Sequence, residues 1–493
     1  MGKNVLAIDL GASNGRVMLC KFDGNKILLE EIHRFDNNPF EKDGTLYWDI
    51  DSLFEEIKIG LKKAGPYQYE SMGIDTWGVD FGLIGKNGKL LGNPVHYRDK
   101  RTTGVLDKAF SIMPREELFL KTGTQIMEIN TLFQLLALKN NNPDIFENVE
   151  NALFMPDLFA WLLTGERNSE LSIASTSQML DINNKIWNDE IFEAFGMPKN
   201  IFPPLIKSGA CIGELLPHLA DELGTQPKKV IAVCGHDTAC AVMSVPADSE
   251  DFIFISCGTW SLIGTETYEP KIDKGILEKA FTNEIGYNSS IEIIGNLTGL
   301  WLIQEARRYY KSIGSNYSYS EMEKMASNEE PFTRFIDTDA PEFSVSGNIP
   351  EAVNKYLSAS GQPLANSPGE IIRCIYDSLA LKYKVKLAQL NSIKAKAGDT
   401  IYMVGGGIQA ELLCKLASDI CSCRVVAGPI EATSLGNAAI QLIALGYIKD
   451  MQEARAIIKS SFQPKEFFPS TDINVEGIYK KYINTISEKS SVK

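Results

Sequence analysis

At 493 residues with a net charge of −14, the chain is too long for one ordinary core, so two large domains are expected. Its 44% apolar and 23% charged residues exclude a disordered or collagen-like polymer. The acidic balance excludes nucleic acid as the main partner, because phosphate backbones demand clustered Lys and Arg, but a nucleotide could still be held by backbone N–H groups, one Arg and a Mg²⁺.

The opening residues run straight into a strand pattern, without the charged and apolar regions of a signal peptide. Apolar runs such as residues 158–163 are far shorter than the roughly 20 residues that span a bilayer, so no membrane partner is expected. The nine cysteines are scattered, which suits a cytoplasmic protein with reduced thiols.

In chain order, residues 5–9 read as an apolar strand, 11–15 as a glycine turn and 16–22 as the next strand. Another strand pair follows near 26–33. Asp51 is expected to cap a helix carrying Leu53, Ile57 and Leu61. Residues 72–84 have strand character, and 131–164 read as helical. Residues 230–234 form an apolar strand. A polar, turn-rich stretch at 244–250 suggests a domain boundary, which divides the chain into 1–245 and 246–493. Strand, turn and strand then recur at 252–256, 257–259 and 260–266. This reads as an internal duplication, although such hairpins are common. Ser367, Pro368 and Glu370 fall at N-cap, N1 and N3 of a long helix. A strand at 400–404 runs into Gly405, Gly406 and Gly407. A last helix is expected at 434–445, stopped by Gly446, before a polar tail at 487–493. Strands alternate with helices, so the class is α/β.

Three glycine turns could meet a ligand. In the first, Ala12, Ser13, Asn14 and Gly15 allow close backbone approach and an anion nest. Arg16 adds a bidentate charge, and Asp9 could orient a hydrated Mg²⁺. The spacing fits neither the Rossmann nor the Walker pattern, and a plain hairpin turn remains open. In the second, Thr259 offers a hydroxyl and an N–H. In the third, a flat group such as adenine could lie on the glycines. A tight strand-to-helix turn explains that segment equally well.

His236, Asp237 and Thr238 follow the strand at 230–234, where ligand sites of α/β proteins lie. Asp237 is a candidate general base, or else the N-cap of the next helix. Trp77 could stack on a sugar, or belong to the core. Asn296 and Gln304 flank Leu300 at four-residue spacing and are expected on one helix face. The four histidines lack zinc spacing, and no nucleophile elbow is present.

Together, residues 7–16, 31–35, 73–81, 97–99, 235–239, 256–262, 299–301, 404–409 and 427–437 resemble the FGGY carbohydrate kinases of the actin-like ATPase superfamily. The resemblance spans nearly the whole chain, in family order. It implies an α/β fold of two actin-like (ribonuclease H-like) ATPase domains around a central cleft. It also implies the cofactors ATP and Mg²⁺. Ala12, Ser13, Asn14, Gly15, Arg16, Thr259, Gln304 and Gly406 would bind the nucleotide. Gly78, His236, Asp237, Thr238 and Asn296 would meet the sugar, and Asp237 would be the catalytic base. Asp9 would hold Mg²⁺ through water. Residues 73–80 and 97–99 narrow the implied sugar to L-rhamnulose, phosphorylated at O1 in L-rhamnose breakdown, by a monomer or homodimer. Two readings compete: a kinase of L-fuculose or a xylulose-type ketose, and a non-catalytic nucleotide-binding sensor.

Overall fold

The computed structural model describes residues 3–249, 251–393 and 398–490. Residue 250 of the expected boundary and residues 491–493 of the polar tail lie outside them. The chain forms two compact units. The first comprises Met1–Asp248, Glu266–Ile293 and Ala432–Phe462; the second comprises Ser249–Thr265, Ile294–Glu431 and Gln463–Lys493. The units interleave along the chain, where a single division at 245/246 is expected from sequence. Two later segments build into the first unit because their polar side chains satisfy its backbone. Asn283 Nδ2 donates to the Gly123 carbonyl at 2.9 Å, and Gln441 Nε2 donates to the Leu6 carbonyl at 2.8 Å.

The sheet of the first unit runs in the order Cys211–Glu214, Lys229–Ile231, Ser71–Thr76, Lys3–Leu10, Asn14–Phe22, Ile27–Asp36. Lys3–Leu10 is its buried centre. It pairs antiparallel with Asn14–Phe22, setting Asp9 opposite Arg16, and parallel with Ser71–Thr76, setting Asp9 opposite Asp75. The helix Ile50–Ala64 buries Leu53, Ile57 and Leu61 as its spacing predicts. Its cap is Asp49, whose Oδ1 accepts from Ser52 N at 3.0 Å, not Asp51. Asp51 lies in the first turn instead, where a carboxylate favours the positive end of the helix.

Two expected elements divide. Residues 72–84 become Ser71–Thr76 and Phe81–Gly85. The bend between them holds Val79 at φ +68°, a costly conformation for a β-branched residue. Thr131 Oγ1 donates to its carbonyl at 2.6 Å, and its N–H donates to Thr176 Oγ1 at 3.1 Å. Residues 131–164 become a helix Thr131–Asn141, a 3₁₀ turn Pro143–Asn148, a strand Val149–Phe154 and a helix Met155–Thr164. Pro143 cannot donate within a continuing helix. The strand exists because it pairs with Phe81–Gly85, a partner that local periodicity cannot reveal.

In the second unit, Ile253–Cys257 pairs antiparallel with Trp260–Thr267 and parallel with Thr400–Val404, followed by Arg424–Ala427 and Lys465–Phe467. A hairpin with a parallel neighbour thus occurs in both units, the arrangement that a duplication predicts. The helix Pro368–Ile393 starts where expected, with Glu370 N donating to Ser367 Oγ at 3.0 Å. The Glu370 carboxylate accepts from Asn366 N and Arg334.

Candidate active site

Asp237 opens the helix Asp237–Met243, and the N-cap is His236. The capping alternative for Asp237 is therefore corrected: it is the first residue of the helix and not its N-cap. Asp237 Oδ1 accepts from Thr238 Oγ1 at 3.2 Å, and the side chain keeps 31% of its exposure. Burial raises its pKa and nearby Asp9 adds to this, while His236 opposes them.

The backbone before Asp237 is held by a residue that no sequence motif singled out. Glu170 Oε2 accepts from Gly235 N at 2.9 Å, from Ser172 N at 2.9 Å and from Ser172 Oγ at 2.5 Å. Ser172 Oγ accepts in turn from His236 N at 3.2 Å. Thr76 N donates to the Gly235 carbonyl at 2.9 Å, joining this turn to the central sheet. Gly78 lies against it as well: a Cβ there would stand 3.4 Å from His236 Nε2 and 3.3 Å from Thr176 Cγ2. The structure thus brings Gly78, His236, Asp237 and Thr238 together.

Trp77 belongs to the core. It is 6% exposed, lies 4.1 Å from Trp48 between ring centroids, and donates to Asp80 Oδ2 at 3.0 Å. Asp80 Oδ2 also accepts from Trp48 Nε1 at 2.7 Å and Tyr97 N at 3.1 Å. Burial lifts the Asp80 pKa to about 6, against these donors.

Asp9 is 3% exposed. Its Oδ2 accepts from Arg16 Nε at 3.0 Å, Arg16 Nη2 at 2.8 Å and Ser434 Oγ at 3.0 Å. The Arg16 guanidinium is therefore engaged with Asp9. The glycine turn is closed by Gly11 N donating to the Asn14 carbonyl at 2.9 Å and by Asn37 Nδ2 donating to the Gly11 carbonyl at 2.9 Å. Ala12 and Ser13 form its crest, and Asn14 and Gly15 open the next strand, where Gly15 pairs with Leu10. Beside Asp9 lies fully buried Asp75. Asn437 Nδ2 donates to Asp75 Oδ2 at 2.6 Å, and Asp75 Oδ1 has no hydrogen-bond partner among the described residues. Burial, with Asp9 and Asp237 nearby, pushes Asp75 well above the usual carboxylate range.

In the second unit, Thr259 tops the hairpin, and its Oγ1 donates to Gln304 Oε1 at 3.2 Å. Its carbonyl accepts from Gly299 N at 3.1 Å and Trp301 N at 3.2 Å. Asn296 lies on the strand Ile291–Thr298, whereas Gln304 lies on the helix Trp301–Ser312. The shared helix face is thus corrected, because the chain turns at Gly299. A Cβ there would meet Trp260 C at 2.5 Å, so only glycine fits between hairpin and helix. The three later glycines also differ from one another. Cβ atoms at Gly405 and Gly407 would meet the Cys257 carbonyl oxygen at 3.0 and 2.7 Å, whereas one at Gly406 would meet nothing within 4 Å. Gly406 thus presents open backbone.

Family models match nearly the whole chain: the FGGY family of carbohydrate kinases, N-terminal domain, over residues 4–244, and its C-terminal domain over residues 253–445. The chain belongs to this family of carbohydrate kinases. A protein of Oceanobacillus iheyensis named rhamnulokinase is 39% identical over 96% of this chain and 99% of its own. Another so named, from Bacteroides thetaiotaomicron, is 37% identical over 99% of this chain and 100% of its own. Among solved structures, a xylulose kinase from Lactobacillus acidophilus superposes with a TM-score of 0.82 at 16% identity, over 98% of this chain and 97% of that one. The FGGY chain therefore has the two-domain, actin-like ATPase fold. It is an enzyme, a carbohydrate kinase whose substrates are a sugar and ATP.

Proposed function

We propose that the protein transfers the γ-phosphoryl group of ATP to O1 of L-rhamnulose, yielding L-rhamnulose 1-phosphate and ADP in L-rhamnose catabolism. The chemistry is carried by one observation: Asp237 is a partly exposed carboxylate in the first turn of its helix, beside His236. The choice of sugar is supported by the names of relatives that match nearly end to end.

In the reaction, Asp237 takes the proton of the O1 hydroxyl as O1 attacks the γ-phosphorus. The bond from that phosphorus to the β–γ bridging oxygen breaks, and ADP leaves. Such transition states are loose, so position matters more than base strength. Gly78, His236, Thr238 and Asn296 are assigned to the sugar. Ala12, Ser13, Asn14, Gly15, Arg16, Thr259, Gln304 and Gly406 are assigned to the nucleotide. The division of roles follows residues 1–245 for the sugar and first phosphate turn, and 246–493 for the second turn and adenosine.

Among the described residues no group of three or more His, Cys, Asp or Glu side chains could hold a metal ion, but two neighbouring carboxylates could orient a hydrated cation. Asp9 and Asp75 stand opposite each other on paired strands, and among the described residues Asp75 Oδ1 has no hydrogen-bond partner; oxygen ligands suit Mg²⁺. Asp9 would hold it, and its charge would offset that of the β- and γ-phosphates. Among the described residues no helix is long and apolar enough to cross a membrane. A cytoplasmic monomer or homodimer completes the proposal.

The test is ADP release with MgATP and purified ketoses. L-rhamnulose should give the highest kcat/KM. A higher value with L-fuculose or D-xylulose would overturn the substrate and leave the family intact.

A further inference from the structure

The strand Phe281–Ile285 follows the catalytic turn by some distance in sequence yet belongs to the same compact unit. Ile285 N donates to Ser175 Oγ at 3.0 Å, and Asn283 N donates to the Gly123 carbonyl at 2.9 Å. Side chains alternate across a strand, so the Glu284 side chain lies on the opposite face from those of Asn283 and Ile285. Its Oε2 stands 2.9 Å from His236 Nδ1, as an ion pair rather than an aligned hydrogen bond. On the far side of the ring, His236 Nε2 is 3.6 Å from Asp237 Oδ1. Glu284, His236 and Asp237 thus form one row, with the two outer carboxylates on opposite ring nitrogens.

We propose that Glu284 is a positioning residue for the catalytic turn: its carboxylate holds the Nδ1 side of His236, turns Nε2–H toward Asp237 and the sugar, and keeps the ring cationic beside the base. This rests on the reading of Asp237 as the base. Which ring nitrogen carries a proton is set by the partner of the other. With Glu284 on Nδ1, both nitrogens can hold hydrogen, and Nε2–H can donate to a sugar oxygen. The cation also opposes the effect of burial on Asp237, which favours the ionised carboxylate that accepts the proton of O1. After that transfer His236 still has Glu284, and no lone buried cation remains.

The groups facing the ring agree with this. Burial pulls the His236 pKa down, but Glu284, then Asp237 and Glu292, more than reverse it, to about 9. Glu292 is fully buried, and neither of its oxygens has a hydrogen-bond partner among the described residues. Burial, then Glu266 and Glu284, push its pKa well up. Glu266 is paired with Arg455 at 2.9 Å.

Histidine titration by nuclear magnetic resonance on ¹⁵N-histidine-labelled full-length enzyme, without substrate, tests the pairing directly. The chain has only four histidines, and H236Q assigns the relevant signals. In the native enzyme, His236 should stay protonated through neutral pH. In E284Q its midpoint should fall by about 1–3 pH units, the usual worth of a close charge partner. The alkaline limb of kcat/KM should move down with it, and E284D should restore part of the shift. A native His236 that titrates at its ordinary value, or an E284Q enzyme with unchanged titration and pH profile, would overturn the proposal. The native titration needs no variant to fold, and it reads the pairing whether or not D237N shows Asp237 to be the base.

Discussion

The turn between Lys3–Leu10 and Asn14–Phe22 is set by charge. Asp9 and Arg16 face each other across the hairpin in a two-bond pair, and Ser434 adds a third donor. The turn between Ile253–Cys257 and Trp260–Thr267 is set by backbone and neutral groups. Gly299, Leu300 and Trp301 donate to its carbonyls, and Thr259 meets the Gln304 amide. Similar strand plans therefore hold their crests by different physics. A charged turn has a strong group for a polyphosphate, but that group is already paired. A neutral turn offers weaker contacts on a stiffer frame.

The largest expected effect lies on the charged side. D237N should lower kcat by about 10²–10⁴-fold, the range for loss of a general base, while sugar binding measured by calorimetry stays near the native value. R16A should lower kcat/KM for ATP by about 10–100-fold, following the strength of hydrogen bonds to charged groups. T259A should cost less than about tenfold in the same assay, as a neutral hydrogen bond does. If T259A costs more than R16A, the contrast between the turns is wrong.

The glycines test stiffness instead of charge. In G299A the new Cβ would meet backbone atoms of Trp260 and Gly258 at 2.5 and 2.7 Å. An overpacking cost of about 1–3 kcal/mol is expected in denaturant unfolding. In G15A the Cβ would meet only side-chain atoms of Phe35 and Leu10, at 2.4 to 2.8 Å, which have more freedom to move. G15A should therefore be the milder of the two, and equal losses would remove the distinction.

Much of this was legible in the residues. Apolar strands ending in small-residue turns located both hairpins, and a polar triplet after an apolar strand located Asp237. The misreadings share a cause. Whether His236 or Asp237 caps the helix depends on where Gly235 is held, and Glu170 holds it from 65 positions away. Asn296 and Gln304 looked like helix neighbours because spacing does not show that Gly299 turns the chain. The contacts of Asp75 with Asn437 and of Glu284 with His236 escaped notice because each needs a partner brought by folding.

Local pattern thus determined by itself the α/β class, the glycine turns and the polar His236-Asp237-Thr238 step, since these depend on side-chain period and on glycine's freedom near the turn. Only the tertiary structure decided which carboxylates burial pushes up, which are paired and which keep some exposure. Those properties depend on burial and on charges contributed from distant segments, and neither is a property of any short stretch of chain.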